Sequence, residues 1–235
     1  EDGRFLVMSV AEGTSGAEIW YRDLHDASQT SLKLLIPGFK TEPSVVDNNG
    51  DKLIILTNDE APNYKVILVD PKNPAKANWK TLVAEKEEAL QSVSIAGGYL
   101  YLQYLKDAST KVYQHKLDGT LVREIELPGI GSATGFSGEK EDKEFFYTFS
   151  SFNKPATIYR YDIGSGRSTV FRQTEVKIDT KDFVTEQAFF TSKDGTKVPM
   201  FLTYKKGLKR DGSNPVLLYG YGGFNIAITP AFSVS

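Results

Sequence analysis

Apolar residues in this chain come in short runs rich in β-branched and aromatic side chains, and such runs predict strands. They fall at 4–10, 17–24, 33–37, 52–57, 64–70, 79–83, 99–105, 110–117, 121–127, 144–149, 156–161 and 168–172. Between them lie turn sequences such as Asp47-Asn48-Asn49-Gly50, Ala96-Gly97-Gly98, Asp118-Gly119 and Gly164-Ser165-Gly166, where glycine and short polar residues accept the dihedrals of tight turns. Helical periodicity is nearly absent from the first 180 residues.

The strands repeat. One run in each unit closes on aspartate: Ile19-Trp20-Tyr21-Arg22-Asp23, Val66-Ile67-Leu68-Val69-Asp70, Tyr113-Gln114-His115-Lys116-Leu117-Asp118 and Ile158-Tyr159-Arg160-Tyr161-Asp162, at separations of 47, 48 and 44 residues. A period of about 40–50 residues holding several short strands is that of β-propeller blades. Each aspartate is expected to accept backbone hydrogen bonds in the turn after its strand, an architectural role rather than a metal-binding one. About four blades fit into residues 1–180. Blade-like sheets cut from a larger ring leave open edges, so further blades are expected upstream.

Near residue 180 the pattern changes. Residues 183–204 predict a hairpin turning through Lys193-Asp194-Gly195-Thr196, a polar loop follows at 205–214, and Pro215-Val216-Leu217-Leu218 then leads into Tyr219-Gly220-Tyr221-Gly222-Gly223-Phe224-Asn225. A continuous apolar strand suits a sheet buried on both faces. A glycine-rich turn after such a strand is how an α/β-hydrolase sheet delivers donors to an oxyanion. A second domain is therefore expected over 181–235.

Composition narrows the chemistry. The 235 residues are 40% hydrophobic, enough for a packed core. The 28 basic and 30 acidic residues are spread along the chain to a net charge of −2, which points to neither nucleic acid nor a cation store. No apolar run approaches the roughly 18 residues of a membrane span. The chain has no cysteine, which excludes disulfides, thiolate metal sites and a cysteine nucleophile in this segment; it suits a reducing compartment, and the expected location is cytoplasmic. No histidine pair has ligand spacing and no calcium loop occurs, so no metal is expected. Ser132 in Gly131-Ser132-Ala133-Thr134-Gly135 and Ser165 in Gly164-Ser165-Gly166 lack the spacing of a Gly-x-Ser-x-Gly nucleophile elbow and read as turn serines. His25, in a polar loop, and His115, on a strand with Tyr113 and Leu117, read as a solvated and a sheet-face histidine.

Three segments resemble the prolyl oligopeptidase family: Phe190-Thr191-Ser192-Lys193-Asp194-Gly195-Thr196-Lys197-Val198-Pro199-Met200-Phe201, Gly207-Leu208-Lys209-Arg210-Asp211-Gly212-Ser213-Asn214-Pro215 and Leu218-Tyr219-Gly220-Tyr221-Gly222-Gly223-Phe224-Asn225-Ile226. Weaker likeness runs through the blades, at Asp2-Gly3-Arg4, Asn63-Tyr64-Lys65 and Phe146-Tyr147-Thr148-Phe149-Ser150-Ser151-Phe152, so it covers the whole chain. The related oligopeptidase B has the same Tyr-Gly-Tyr-Gly turn but typically continues with Tyr-Gly where this chain has Phe224-Asn225. That favours proline over basic-residue specificity.

The resemblance implies a seven-bladed propeller capping an α/β-hydrolase domain that holds a Ser-Asp-His triad. The chain is then expected to be mainly β: later propeller blades over 1–180, then the first strands of the hydrolase over 181–235. The earliest blades would precede Glu1 and the triad would follow Ser235, leaving this segment inactive alone. The implied activity is that of a serine endopeptidase cleaving short peptides on the C-terminal side of proline. No cofactor is needed, and the propeller limits substrate size. The implied partners are proline-containing peptides and the remainder of the same enzyme, with no nucleic acid and no membrane. Two alternatives stay open, a propeller acting as an interaction module and a family member that makes cyclic peptides by transpeptidation.

Two residues inherit roles from the resemblance. Tyr221 matches the tyrosine whose phenol donates to the oxyanion of the tetrahedral intermediate. Phe224 matches a phenylalanine lining the pocket for the proline ring. On the residues alone, Tyr221 is a sheet-end aromatic with a satisfied hydroxyl and Phe224 a core aromatic beneath the turn. Asn225, Tyr219 and the glycines are expected to hold the turn's shape, Gly222 and Gly223 through backbone conformations closed to larger residues. At Ser9-Val10-Ala11-Glu12-Gly13-Thr14, family members often carry Arg and Cys where this chain has Ala11 and Thr14, and neither is assigned a role.

Overall fold

The computed structural model describes residues 2–224 and 226–234. Four antiparallel sheets and a hairpin follow one another along the chain, each sheet a meander of sequential strands. The first contains β1 (Phe5–Val10), β2 (Glu18–Asp23) and β3 (Lys33–Ile36). The second contains β4 (Ser44–Asn49), β5 (Lys52–Thr57), β6 (Lys65–Val69) and β7 (Lys80–Val83). The third contains β8 (Ala89–Ala96), β9 (Tyr99–Lys106), β10 (Ser109–Lys116) and β11 (Leu121–Glu124). The fourth contains β12 (Ser132–Thr134), β13 (Glu144–Ser151), β14 (Lys154–Asp162) and β15 (Arg167–Gln173). The hairpin pairs β16 (Phe183–Thr191) with β17 (Lys197–Lys205). These are propeller blades, as the repeat predicts. Every run expected in the first 180 residues carries a strand, and the structure adds β4, β8 and β12, each the first strand of its sheet.

The repeating aspartates explain the register of the blades. Asp162 closes the third strand of a four-stranded sheet, and Asp70 and Asp118 follow such a strand within two residues. By the same phase β2, which ends at Asp23, is a third strand, and the first sheet holds the second to fourth strands of its blade. Each carboxylate caps the next turn as predicted: Oδ1 accepts from His25 N–H at 3.0 Å, Lys72 N–H at 2.9 Å, Thr120 N–H at 2.8 Å and Ser165 N–H at 2.7 Å. Such a bond satisfies a donor that the ladder leaves open. Arg4 also donates to Asp23 Oδ2 at 3.0 Å, and this hydrogen bond above all holds the Asp23 carboxyl below the usual range.

The chain divides into two compact units, one of Glu1–Tyr104, Val112–Ile125 and Phe136–Lys143, the other of Leu105–Lys111, Glu126–Gly135 and Glu144–Ser235. In the first, β5 is buried on both faces. Leu53 and Ile55 join Ile19, Leu35, Ile67 and Val69 in one cluster, while Ile54 points the other way into a cluster with Val66, Leu90, Leu100 and Leu102. Successive side chains of a strand face opposite sides, so a blade sandwiched between blades needs an apolar run rather than alternation. In the second unit, Phe145, Tyr147, Phe149 and Tyr161 are buried in the fourth sheet, with Phe145 and Tyr161 rings 4.9 Å apart and Tyr147 stacked on Tyr159 at 5.2 Å.

Candidate functional site

The candidate chemistry lies beyond the fourth sheet, on the β16–β17 hairpin and the segment after it. The turn expected at 193–196 is formed: Ser192 N–H donates to Thr196 O at 2.8 Å, Thr196 N–H to Asp194 Oδ1 at 3.0 Å, and Gly195 takes the left-handed φ of 87° that favours glycine. Within the second unit the hairpin is tied down by Asn153 Nδ2 donating to Phe183 O at 3.0 Å and by the Phe152 and Phe201 rings, 5.6 Å apart.

A polar cluster not singled out in the sequence fixes the loop that follows. Tyr204 donates to Glu186 Oε2 at 3.0 Å, Arg210 donates to Glu186 Oε1 at 2.6 Å, and the Arg210 guanidinium lies 4.4 Å from the centroid of the Tyr204 ring. Tyr204 is registered against Val184, which makes Glu186 its diagonal cross-strand neighbour. That relation appears only once the strands are paired. The hydrogen bond from Arg210, and then that from Tyr204, hold the Glu186 carboxyl below its ordinary value. A depressed folded pKa gives an attachment that is present above the unfolded value and lost as pH falls through the folded one. A carboxyl-detected NMR titration should therefore place Glu186 below the ordinary carboxylate range. Arg210→Gln should move it back up, and an unmoved midpoint would show that Arg210 does not hold it.

The run Pro215-Val216-Leu217-Leu218, expected as a buried strand, forms none; Val216, Leu217 and Leu218 are 85%, 93% and 91% exposed. A strand forms by exchanging hydrogen bonds with a neighbour, and among the described residues no strand pairs with this run. Tyr221 and Phe224 follow on the same irregular segment. Tyr221 is half-exposed and Phe224 is 91% exposed, so among the described residues Phe224 is not packed in a core beneath the turn. Nor do the glycines take the unusual conformation. Gly222 and Gly223 lie outside the left-handed region, and Phe224 itself adopts a φ of 53°, with Ile226 N–H donating to Gly223 O at 3.1 Å. A bulky residue held there costs about 1–3 kcal/mol, the strain that functional turns carry. Asn225 lies outside the described residues. Further on, Phe232 N–H donates to Ser150 Oγ at 3.1 Å and Pro230 is buried, which docks the end of the segment onto the fourth sheet.

The serines and histidines form no catalytic pair among the described residues. Ser165 lies in a turn as expected, its N–H donating to Asp162 Oδ1, but Ser132 opens β12 opposite Ser150, so it is a strand residue rather than a turn serine. His25 is exposed. His115 is buried with Nδ1 2.9 Å from Gly119 O; burial lowers its pKa and so favours the neutral ring, which anchors its turn. A cleft of about 360 Å³ opens in the first unit along β1 and β4, lined by Phe5, Val7, Ser9, Val45 and Leu53. It runs beside a strand at the edge of the first sheet and belongs to the blade framework. Among the described residues no helix is long and apolar enough to cross a membrane.

Four-stranded meanders in a 40–50-residue repeat define a β-propeller chain, and the comparisons with known proteins agree. The family described as "Prolyl oligopeptidase, N-terminal beta-propeller domain" matches residues 1–174. This chain belongs to the prolyl oligopeptidase family. A prolyl endopeptidase of Elizabethkingia meningoseptica is 44% identical over 234 residues, covering 100% of this chain and 33% of its own length. A solved prolyl endopeptidase superposes with a TM-score of 0.88 at 38% identity, over 99% of this chain and 34% of that one. Prolyl oligopeptidase B from Galerina marginata, bound to a 25mer macrocyclization substrate, superposes with a TM-score of 0.87 at 30% identity, over 99% of this chain and 33% of that one. The chain thus spans about a third of the length of the relatives it matches.

Proposed function

We propose that this chain is the propeller part, and the opening of the α/β-hydrolase domain over 181–235, of a cytoplasmic serine endopeptidase that cleaves short peptides on the C-terminal side of proline. In this reading the Ser-Asp-His triad lies outside the chain, the propeller limits substrate size, and no cofactor takes part. The observation that carries the reading is the contrast in burial between blades and tail. The blades bury Tyr101, Tyr147 and Tyr161 almost completely, whereas Leu217, Leu218 and Phe224 are left more than 90% exposed on a glycine-rich segment with family membership behind it. Apolar surface of this kind marks a site of association, and a propeller acting only as a binding module has no use for it at this place.

The roles then divide by chemistry. Tyr221 is the phenol donor to the oxyanion, acting on charge that exists only in the transition state. Phe224 is one wall of the pocket for the proline ring, which has no side-chain hydrogen bond to offer and is recognised by shape. Attack by the serine and departure of the amine proceed by acyl transfer. The Galerina relative, bound to a macrocyclization substrate, supports a second reading in which the acyl group passes to the peptide's own amine instead of water.

In the complete protein, a fluorogenic peptide with proline before the scissile bond should be cleaved with a far higher kcat/KM than the same peptide with arginine there. Preferential cleavage of the arginine peptide would move the assignment to oligopeptidase B. Mass spectrometry of a longer peptide's products separates hydrolysis from cyclisation, which lacks the added water.

A further inference from the structure

Between β12 and β13 the chain makes a strap, Phe136–Lys143, that packs within the first unit. The third sheet carries it: Gly138 N–H donates to Ile95 O at 2.9 Å, Gly97 N–H donates to Glu139 O at 2.8 Å, and the Ser94 hydroxyl donates to Phe136 O. A turn at its tip, closed by Glu139 N–H donating to Asp142 Oδ2 at 2.7 Å, presents Lys140. The lysine reaches past the third sheet to the end of β4 in the second. Its Nζ lies 3.2 Å from Asp47 Oδ1, 3.0 Å from Asn48 O and 3.3 Å from Asn48 Oδ1. Three acceptors thus match the three donors of an ammonium. Asn48 is held in place by donating from Nδ2 to Asp2 Oδ2 at 2.7 Å and to Gly50 O at 3.0 Å.

The burial makes this more than a surface pair. The Asp47 side chain is 4% exposed and that of Lys140 22%. Exposed ion pairs contribute little, but removing one partner of a desolvated pair leaves the other charge buried without compensation. The location gives the contact its consequence. β4 and β8 are the first strands of their blades and lie against each other. Asp47 and Asn48 sit where β4 turns into β5, at the end of the blade opposite to the crossover from β7 to β8.

We propose that the strap is an electrostatic latch at one end of the second and third blades, closed by Lys140 in the Asp47–Asn48 notch, so that these blades cannot spread there without releasing the lysine. The latch does not depend on the peptidase reading. In the full-length protein, hydrogen exchange followed by mass spectrometry should show Lys140→Met raising exchange about tenfold or more at Gly97, Gly138 and residues 47–50, with β5 and β6 unchanged, as a local opening requires. Asp47→Asn keeps the lysine but loosens its grip, and trypsin should then cut after Lys140 about tenfold faster than in the native protein. This second reading stands even if Lys140→Met does not fold. Exchange within twofold of native in Lys140→Met, or cleavage after Lys140 no faster in Asp47→Asn, overturns the latch.

Discussion

Tyr221→Phe in the complete protein is expected to lower kcat on a proline-containing reporter by about 10²–10³, equivalent to roughly 3–4 kcal/mol of transition-state stabilisation. KM should change little, because a neutral carbonyl in the ground state asks less of the phenol than the oxyanion that replaces it. Folding should be unaffected. The substitution removes one hydroxyl and keeps the ring, so side-chain volume is nearly conserved, and such swaps cost less than about 1.5 kcal/mol. The decisive observation is therefore a fall in kcat at constant thermal transition. A kcat within about twofold of native would remove the oxyanion role, and a fall accompanied by a lower transition temperature would assign the residue to structure.

How much of this was legible in the residues depends on where each strand sits in its blade. The second and third strands, such as β5 and β6, are buried on two faces and announce themselves as runs of Leu, Ile and Val. The first strands do not. β4 reads Ser-Val-Val-Asp-Asn-Asn, and its Asp47-Asn48-Asn49 end followed by Gly50 has the composition of a turn. Its polar groups are buried because Lys140, more than ninety residues away, supplies the charge and donors they need. β8 interrupts its apolar residues with Gln91, Ser92 and Ser94, and β12 is three residues long. A pairing set by distant chain leaves no local period to read. The same holds for Glu186 and Tyr204, which meet only after β16 and β17 take their register.

The tail taught the opposite lesson. Tyr221 and Phe224 are assigned by likeness to a family, and the structure differs from the local reading of the glycines. Val216–Leu218 reads as a buried strand because its side chains are apolar, and among the described residues no second strand offers it hydrogen bonds. Gly222 and Gly223 looked like the residues that turn the chain, but the left-handed step falls on Phe224. Phe224 therefore takes the left-handed step itself, directly after Gly223.

The second large effect lies in the core of the fourth sheet, at Phe149 and Gly131. Phe149 is 1% exposed on β13, and truncation to alanine should cost about 3–5 kcal/mol through lost burial and the cavity left behind. Gly131 sits against the same ring, and a Cβ built on it would lie 2.3 Å from Phe149 Cζ and 2.5 Å from Ser150 O. Its φ is not left-handed, so the cost of Gly131→Ala is steric alone, about 1–3 kcal/mol for forcing volume into a packed core. One part of that clash is a ring that Phe149→Ala removes; the other is a backbone oxygen that stays. The double variant should therefore be less destabilised than the two singles summed, by about 1 kcal/mol, the coupling expected of groups in contact. A chain of more than one unit does not unfold in a single step, so the quantity to measure is the urea dependence of amide exchange in β13 and β14. Strict additivity would place the whole clash on Ser150 O, and would mean that Gly131 is required by the strand pairing of Ser132 with Ser150 rather than by the aromatic packed over it.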